Sequence, residues 1–439
     1  MNHYRNLSLR LFLLLSATLC LQIAFAFAQD APGPYPPSAQ PDRINLSVTQ
    51  DPSTSMAVTW RTHPSVQQGK AEIVLANANP LSVREAESIP AFTEKIRTKD
   101  GNYKELYWNG VTANYHSVVF ENLKPNTLYS YRVGEGTAWS EWFQFRTAGS
   151  KEEKLSLLYF GDAQTDLRSL WSRAIRQAYA HLPTAALMLH AGDLINRANR
   201  DVEWGEWFEA GSFIMATIPQ MPSPGNHEYG RDEDALELSE FWRPQFTLPQ
   251  NGPEGLEETC YFTDVQGMRL ISLDSYMAEE SDEHLEKQRV WLDSILQDTP
   301  NRWTAVLFHH PIFSPKATRD NKRMRETFKP IFDKYKVDLV LQGHDHTYAR
   351  GMENIPMEGK DDTSGTMYVV SVSGPKMTDN GVEKKFWMEK SGIYTQLYHT
   401  ITVDDNQLEF RSYTVTGELY DAFDLLKREG ETNQLVERM

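Results

Sequence analysis

Apolar residues follow two different rhythms along this chain, and the change between them divides it. From 44 to 147 they alternate with polar residues in short runs: Ile44-Leu46-Val48, Met56-Val58-Trp60, Ile73-Val74-Leu75, Ser117-Val118-Val119-Phe120, Tyr129-Tyr131-Val133 and Trp142-Phe143-Phe145. A period of two marks strands with one face buried. Turn signals separate the runs roughly every ten to fifteen residues, which predicts an all-β sandwich over 42–148. The polar stretch 149–154 closes that region. Beyond it, short apolar runs at 155–160, 185–189, 303–308 and 337–341 read as buried strands, and the intervening 167–180, 202–217, 284–296 and 319–335 have helical spacing. The segments 261–264 and 269–273 flank Gln266-Gly267 as a hairpin, and 367–372, 398–403 and 408–413 add strands. Strands exchanging with helices predict an α/β domain, placed at 152–425. Residues 426–439 are set apart as a charged tail.

The N-terminal residues follow neither rhythm. Residues 29–41 carry Pro32, Pro34, Pro36, Pro37 and Pro41 and read as an extended linker. In 1–28, Arg5 and Arg10 precede an apolar run opening at Leu11, and Ala26-Phe27-Ala28 fits the small-x-small rule of a cleaved secretory signal. Ser16, Thr18 and Gln22 interrupt the run, which argues against a membrane anchor after cleavage, and Leu19 before Cys20 argues against lipid attachment. Export to a periplasm or beyond is expected. Cys20 leaves with the signal, so Cys260 has no internal disulfide partner, and its alternating surroundings read as packing.

Composition narrows the function. With 439 residues, 40% hydrophobic and 24% charged, the chain can build two domains with real cores. A net charge of -16 argues against a nucleic-acid partner, and binding an anionic phosphate then needs local cations.

Those cations are suggested by what stands at the strand ends. The runs terminate in Gly161-Asp162-Ala163-Gln164, in 190–196 with Asp193 and Asn196, in Gly225-Asn226-His227-Glu228, in His309-His310-Pro311 and in Gly343-His344-Asp345-His346. Open α/β sheets place ligands at the carboxyl ends of their strands. Residues two apart in extended chain point the same way, so His344 and His346 are expected to aim at one point. Any one such end could be a turn, a cap or a packed pair; five in order make coincidence a poor account. Carboxylates, imidazoles and a carboxamide oxygen together suit Mn, Fe or Zn rather than a soft thiolate site.

With these five ends the chain resembles the calcineurin-like metallophosphoesterases. The preceding sandwich, whose 123–133 segment resembles the turn-and-strand signature of fibronectin type III modules, and the His346-Thr347-Tyr348-Ala349-Arg350 ending look most like purple acid phosphatases. The resemblance covers 41–415. It implies a four-layer αββα sandwich holding two metal ions. Asp193 would bridge them, Asp162 and His346 would hold the first, and Asn226, His309 and His344 the second. His310 competes with His309, and the family's pattern selects the first of the pair.

Two positions depart from that pattern. Asn196 stands where purple acid phosphatases have the iron-binding tyrosine, and Gln164 where other members have a histidine. Both are kept as additional ligands or supports, and a colourless divalent pair (Mn, Zn or Fe) is expected. The family's chemistry implies a shared water made acidic by the two ions, in-line attack on phosphorus, and His227 as leaving-group acid alongside Asp193. Tyr348, Arg350 and His310 are read as substrate contacts, with packing the alternative for the first two. His190, the histidines 63, 116, 181, 284 and 399, and the group Trp204, Trp207, Phe208 and Phe213 are read as packing. Asp232-Glu233-Asp234 reads as a solvated helix start.

The sequence thus predicts an exported, metal-dependent hydrolase of small phosphate esters, of acid-phosphatase type. A phosphodiesterase or nucleotide-type hydrolase on the same site is the alternative. A metal-containing binding protein, with the sandwich as its working part, is the second.

Overall fold

The computed structural model describes residues 34–98, 111–151, 153–232, 235–352, 365–378, 382, 385, 387–428 and 430–439. The signal-like segment 1–28, and Glu233 and Asp234 of the acidic run, lie outside the described residues. Two large sheets face each other. The first has eleven strands, in the order 434–437, 419–426, 407–414, 397–404, 155–160, 187–191, 220–223, 42–47, 56–62, 112–120 and 92–97. The second has seven, in the order 261–265, 268–272, 303–307, 339–342, 367–370, 348–352 and 390–392. A five-stranded sheet built around Lys70–Leu75 and Leu128–Glu135 closes the N-terminal sandwich.

The layering follows from the side-chain period of the strands. Leu270, Ala305, Leu307, Leu339 and Leu341 share a buried cluster with Leu157, Leu187 and Leu189 of the opposing sheet. Their neighbours Ile271, Val306 and Val340 point the other way and pack with Leu292, Phe328 and Phe332 of the helices Asp282–Gln297 and Lys322–Tyr335. Those two helices cover one outer face, while Ser172–His181 and Asp201–Gly211 cover the other. In Lys322–Tyr335, Met324, Phe328, Ile331 and Phe332 line one face and are buried, each contributing about 1.5–3 kcal/mol. The helix begins later than the periodicity suggests, because Arg319 is held in an ion pair with Asp345.

The two domains share a sheet, which the change of rhythm did not foretell. Asp42–Ser47 runs parallel to Gln220–Ser223, with Ser47 opposite Gln220, so the sandwich continues the α/β sheet. The proline-rich linker is likewise anchored at its second half. Tyr35 lies on Gly205 of the Asp201–Gly211 helix, where a Cβ would come within 2.4 Å of the ring. The Tyr35 carbonyl accepts from Arg61 at 3.0 Å, and its hydroxyl donates to Glu209.

Four further differences from the sequence reading have local causes. The region set apart as a charged tail contributes Gln434–Glu437, a strand paired with Leu419–Leu426, because unpaired backbone at the edge finds partners there. Asp232, the described residue of the acidic run, ends a strand and starts no helix: Tyr229–Asp232 pairs antiparallel with Ala235–Leu238. Phe213 is 49% exposed at the end of its helix rather than packed on the sheet, whereas Trp204, Trp207 and Phe208 are buried. Finally, His344 and His346 do not lie in extended chain but follow the Leu339–Gln342 strand in left-handed backbone, φ +72° and +51°. Among the described residues no helix is long and apolar enough to cross a membrane.

Candidate metal centre

Parallel strands of both facing sheets end toward one another, and their C-terminal turns meet in one cluster. Asp162 follows Leu155–Phe160; its Oδ1 accepts from the His344 amide at 2.7 Å, and its Oδ2 lies 3.1 Å from His346 Nε2. Asp193 follows Leu187–Ala191; its Oδ2 is 3.2 Å from His309 Nε2 and its Oδ1 accepts from the His227 amide at 3.0 Å. His309 Nε2 is also 3.2 Å from Asn226 Oδ1 and 3.0 Å from His344 Nδ1. Asp162, Asp193, Asn226, His309, His344 and His346 therefore form one connected set, drawn from nearly two hundred positions of chain.

The backbone is strained to achieve this. Gln164, Asp193, His344 and His346 all have left-handed φ, between +47° and +72°, at a cost of about 1–2 kcal/mol per residue. Such outliers persist only where surroundings over-determine them. Gly343 shows how tight the approach is: a Cβ there would sit 2.2 Å from Asp162 Oδ1. Asp345, buried between the two histidines, anchors their turn by accepting from Ser314 Oγ at 2.5 Å and pairing with Arg319.

The donor set fits cations. His309 Nδ1 donates to the Ala191 carbonyl at 2.8 Å, so the ring, when it carries no second proton, turns a lone pair on Nε2 toward the cluster. That lone pair faces two carboxylate and carboxamide oxygens, an arrangement of acceptors against acceptors that only a proton or a metal ion resolves. Asp162 Oδ2 and Gln164 Oε1 are buried acceptors with no hydrogen-bond partner. Burial disfavours a charge on His309, yet Asp193 and Asp162 hold its imidazolium up to about 9. Burial raises Asp193, but His309 and then His227 pull its carboxyl below the usual range. The field of the pocket thus calls for positive charge. Two triads, Asp162–Asp193–His309 and His309–His310–His344, each keep one ligand atom per residue within 4.8 Å of the others. Hard carboxylates with borderline imidazoles fit divalent ions such as Mn, Zn or Fe.

His227 and Glu228 surround this set differently. The His227 ring is 28% exposed; Nδ1 bonds the Asn196 carbonyl at 2.6 Å, and Nε2 is 3.9 Å from Asp193 Oδ2. Glu228 is fully buried, and its carboxylate accepts closely from the amides of Gly225 (2.6 Å), Asp193 (2.8 Å) and Leu194 (2.8 Å), and at longer range from that of Ile195 (3.5 Å). It clamps the turns that present Asp193 and Asn226. Burial and the nearby Asp193 charge push its carboxyl above the usual range, against the pull of those donors. The sequence reading quoted Glu228 without giving it a role; the signal was its place three residues after Gly225, where a side chain can return to the backbone.

The remaining predicted residues are placed as follows. Gln164 donates to Asp193 Oδ2 at 2.9 Å and joins the cluster. Asn196 enters through its backbone carbonyl, on His227. His310 packs beside His344, ring centroids 4.2 Å apart, with Nδ1 held by Ser275 Oγ at 2.9 Å, so the structure keeps it a neighbour of the set. Tyr348 and Arg350 make their contacts elsewhere. Both are buried: Tyr348 donates to Asp421 at 2.7 Å, and Arg350 pairs with Asp421 (2.8 Å), Glu437 (2.7 Å) and Glu389 (3.0 Å). Five donors already committed to carboxylates leave that guanidinium no role at the phosphate. His190 bonds Gln220 at 2.7 Å in the core, and Cys260 is buried.

Both parts of the chain match known protein families. Residues 41–147 match the family described as Purple acid Phosphatase, N-terminal domain, and residues 157–348 match Calcineurin-like phosphoesterase. Acid phosphatase type 7 of Homo sapiens is 29% identical over 339 residues, spanning 72% of this chain and 71% of that protein. Purple acid phosphatase 21 of Arabidopsis thaliana is 26% identical over 291 residues, 64% of this chain and 63% of that one. The solved structure of purple acid phosphatase PPD1 from yellow lupin superposes with a TM-score of 0.71 at 19% identity, covering 89% of this chain and 75% of that chain.

Proposed function

We propose, for a chain that belongs to the purple acid phosphatase-like calcineurin-type phosphoesterases and is a metal-dependent hydrolase of phosphate esters, that its substrates are small phosphomonoesters and that it acts after export. The observation that carries the reading is the buried His309 Nε2, set among acceptors from Asp193 and Asn226 with its own Nδ1 committed to a carbonyl. In this reading Asp162, Asp193 and His346 would hold one divalent ion with Gln164 Oε1 in support, and Asn226, His309 and His344, again with Asp193, would hold a second. Bound there, the ions would supply Lewis acidity for activating a water and neutralising phosphoryl oxygens.

The chain's own residues do the rest. His227 donates Nδ1–H to the Asn196 carbonyl, which leaves Nε2 to carry a second proton and release it to the leaving oxygen. His310, held by Ser275, presents its other nitrogen beside His344 for the substrate. Lys316 adds positive charge near Asp162, and Arg319, itself paired with Asp345, adds a smaller share near His310 and His344. A dianionic monoester gains more from that charge than a monoanionic diester, which supports the monoester reading. Asn196 supplies no phenolate, so the ion pair is colourless, and the segment 1–28 is the export signal.

The test is a metal-stripped chain reloaded with Mn, Zn or ferrous iron and assayed on nitrophenyl phosphate and bis-nitrophenyl phosphate. Faster monoester turnover, abolished by chelator and accompanied by no visible absorption band, is expected. A reversed preference makes it a diesterase. Absence of turnover on a broad phosphoester panel makes it a binding protein.

A further inference from the structure

Beyond the metal set lies a line of buried charges that runs from the N-terminal sandwich to His227. The loop 194–200 carries the Asn196 carbonyl that accepts from His227 Nδ1 at 2.6 Å. Two buried carboxylates pin this loop. Glu228 takes the amide of Leu194, and Glu203 Oε2 takes the amides of Asn196 at 2.9 Å and Arg197 at 2.8 Å. Glu203 Oε1 also accepts from Arg200 at 3.1 Å, and Ala198 accepts from Trp204 Nε1 at 2.8 Å and Ser239 at 2.6 Å. Glu203 sits in the first turn of the Asp201–Gly211 helix, and the sandwich locks that turn. Asp201 pairs with Arg43 at 2.8 Å and Arg61 at 3.3 Å, and Arg61 pairs in turn with Asp42 at 2.6 Å. The side chains of Arg43, Arg61 and Asp201 are 3%, 1% and 7% exposed, so water does not compete for these contacts.

We propose that Glu203 is a positioning residue for leaving-group protonation: it fixes the Asn196 carbonyl that orients the His227 ring, with the helix seated by the sandwich through Asp201, Arg43 and Arg61. The inference rests on His227 being the leaving-group acid. Glu203 hydrogen-bonds none of the six proposed metal ligands. Its removal therefore loosens the acid without emptying the metal pocket. The sandwich, on this account, acts on the chemistry by holding one loop still.

The metal-loaded full chain is compared on an alkyl phosphate and on nitrophenyl phosphate, whose leaving group needs no acid. Glu203→Ala is expected to lose alkyl-ester turnover by about 10–100-fold, the usual effect of removing an orienting partner, with nitrophenyl turnover within about threefold and metal content unchanged. Glu203→Gln, which keeps one acceptor oxygen and the side-chain volume, is expected to recover part of the loss and covers the case in which the alanine variant fails to fold. Asp201→Asn is expected to shift the same ratio in the same direction. Combined with His227→Ala, Glu203→Ala adds no further loss on the alkyl ester. Ring ¹⁵N spectra of the metal-free chain give a second readout: wild type holds His227 with Nδ1 protonated, and Glu203→Ala shows mixed tautomers. Equal losses on both esters, or an unchanged ring signature, overturn the proposal. If His227→Ala itself slows both esters equally, the acid reading fails on its own account, and the ring spectra alone decide whether Glu203 orients the ring.

Discussion

Replacing Glu228 by Gln separates two opposing energies at the centre of the site. The carboxylate is fully buried and accepts three amides closely, so no water can stand in for a lost acceptor. Gln fills the same volume but keeps one oxygen. In its better orientation the oxygen stays with Gly225 and Asp193, and the NH₂ group faces the Leu194 amide. One charge-assisted hydrogen bond of about 1.5–3 kcal/mol is lost, and the other two weaken by about 1 kcal/mol each as they become neutral. That sets the hydrogen-bond loss at about 3–5 kcal/mol. Against it stands the relief of removing a carboxyl that burial and the Asp193 charge hold above the usual range. A carboxyl raised in the folded state weakens the fold at pH values above its unfolded value, so its removal offsets part of the hydrogen-bond loss in the metal-free chain. With divalent cations beside Asp193 the carboxylate form is favoured, the relief disappears, and the whole hydrogen-bond loss falls on metal binding.

Denaturant unfolding of the metal-free chain and chelator competition therefore give different answers for Glu228→Gln. Metal-free stability is expected to fall by less than the hydrogen-bond loss of about 3–5 kcal/mol, and metal affinity to weaken about 10²–10³-fold, the equivalent of about 3–4 kcal/mol. Wild-type metal affinity in the variant would refute the reasoning, as would a large loss of metal-free stability with affinity unchanged.

Three further outcomes are expected. His227→Ala slows alkyl esters by about 10²–10⁴-fold while sparing nitrophenyl phosphate, as steady-state kinetics on both will show; uniform slowing removes the acid role. In the sandwich, His116 is buried between Thr62 and Thr93 at 2.7 and 2.8 Å, and burial lowers it to about 4 from 6.5. Its neutral form stabilises the fold above pH 6.5 and that contribution fades as pH falls toward 4, by about 3 kcal/mol in all, so His116→Gln should flatten the pH dependence of unfolding over that window. Arg350→Met takes the close ion-pair partner from the buried Asp421, which keeps the Tyr348 hydroxyl at 2.7 Å, the Ala422 amide at 2.9 Å and Lys390 at 3.6 Å, and is expected to destabilise by about 3–5 kcal/mol with KM unchanged in the folded fraction. A raised KM at wild-type stability would instead place Arg350 at the substrate.

What the sequence determined by itself was periodic or chemical. The two rhythms fixed the order of sandwich and α/β domain, since side chains alternate along a strand whatever surrounds it. The five polar strand ends contained all six residues of the connected set, and the resemblance to the family chose them from their neighbours, His309 rather than His310 among them. Tertiary structure decided what depends on partners far along the chain. The shared sheet at Ser47 and Gln220, and the strand at 434–437, arise because backbone donors and acceptors must pair with whatever edge lies beside them. Arg350 was legible as a cation after a histidine pair, yet its role was settled by Asp421 and Glu437, residues that no local pattern ties to it. Glu203 and Glu228 take their roles from the fold for the same reason. Each binds backbone amides, which every residue carries, so beyond the three-residue spacing of Glu228 from Gly225 only the folded chain shows which turns they hold.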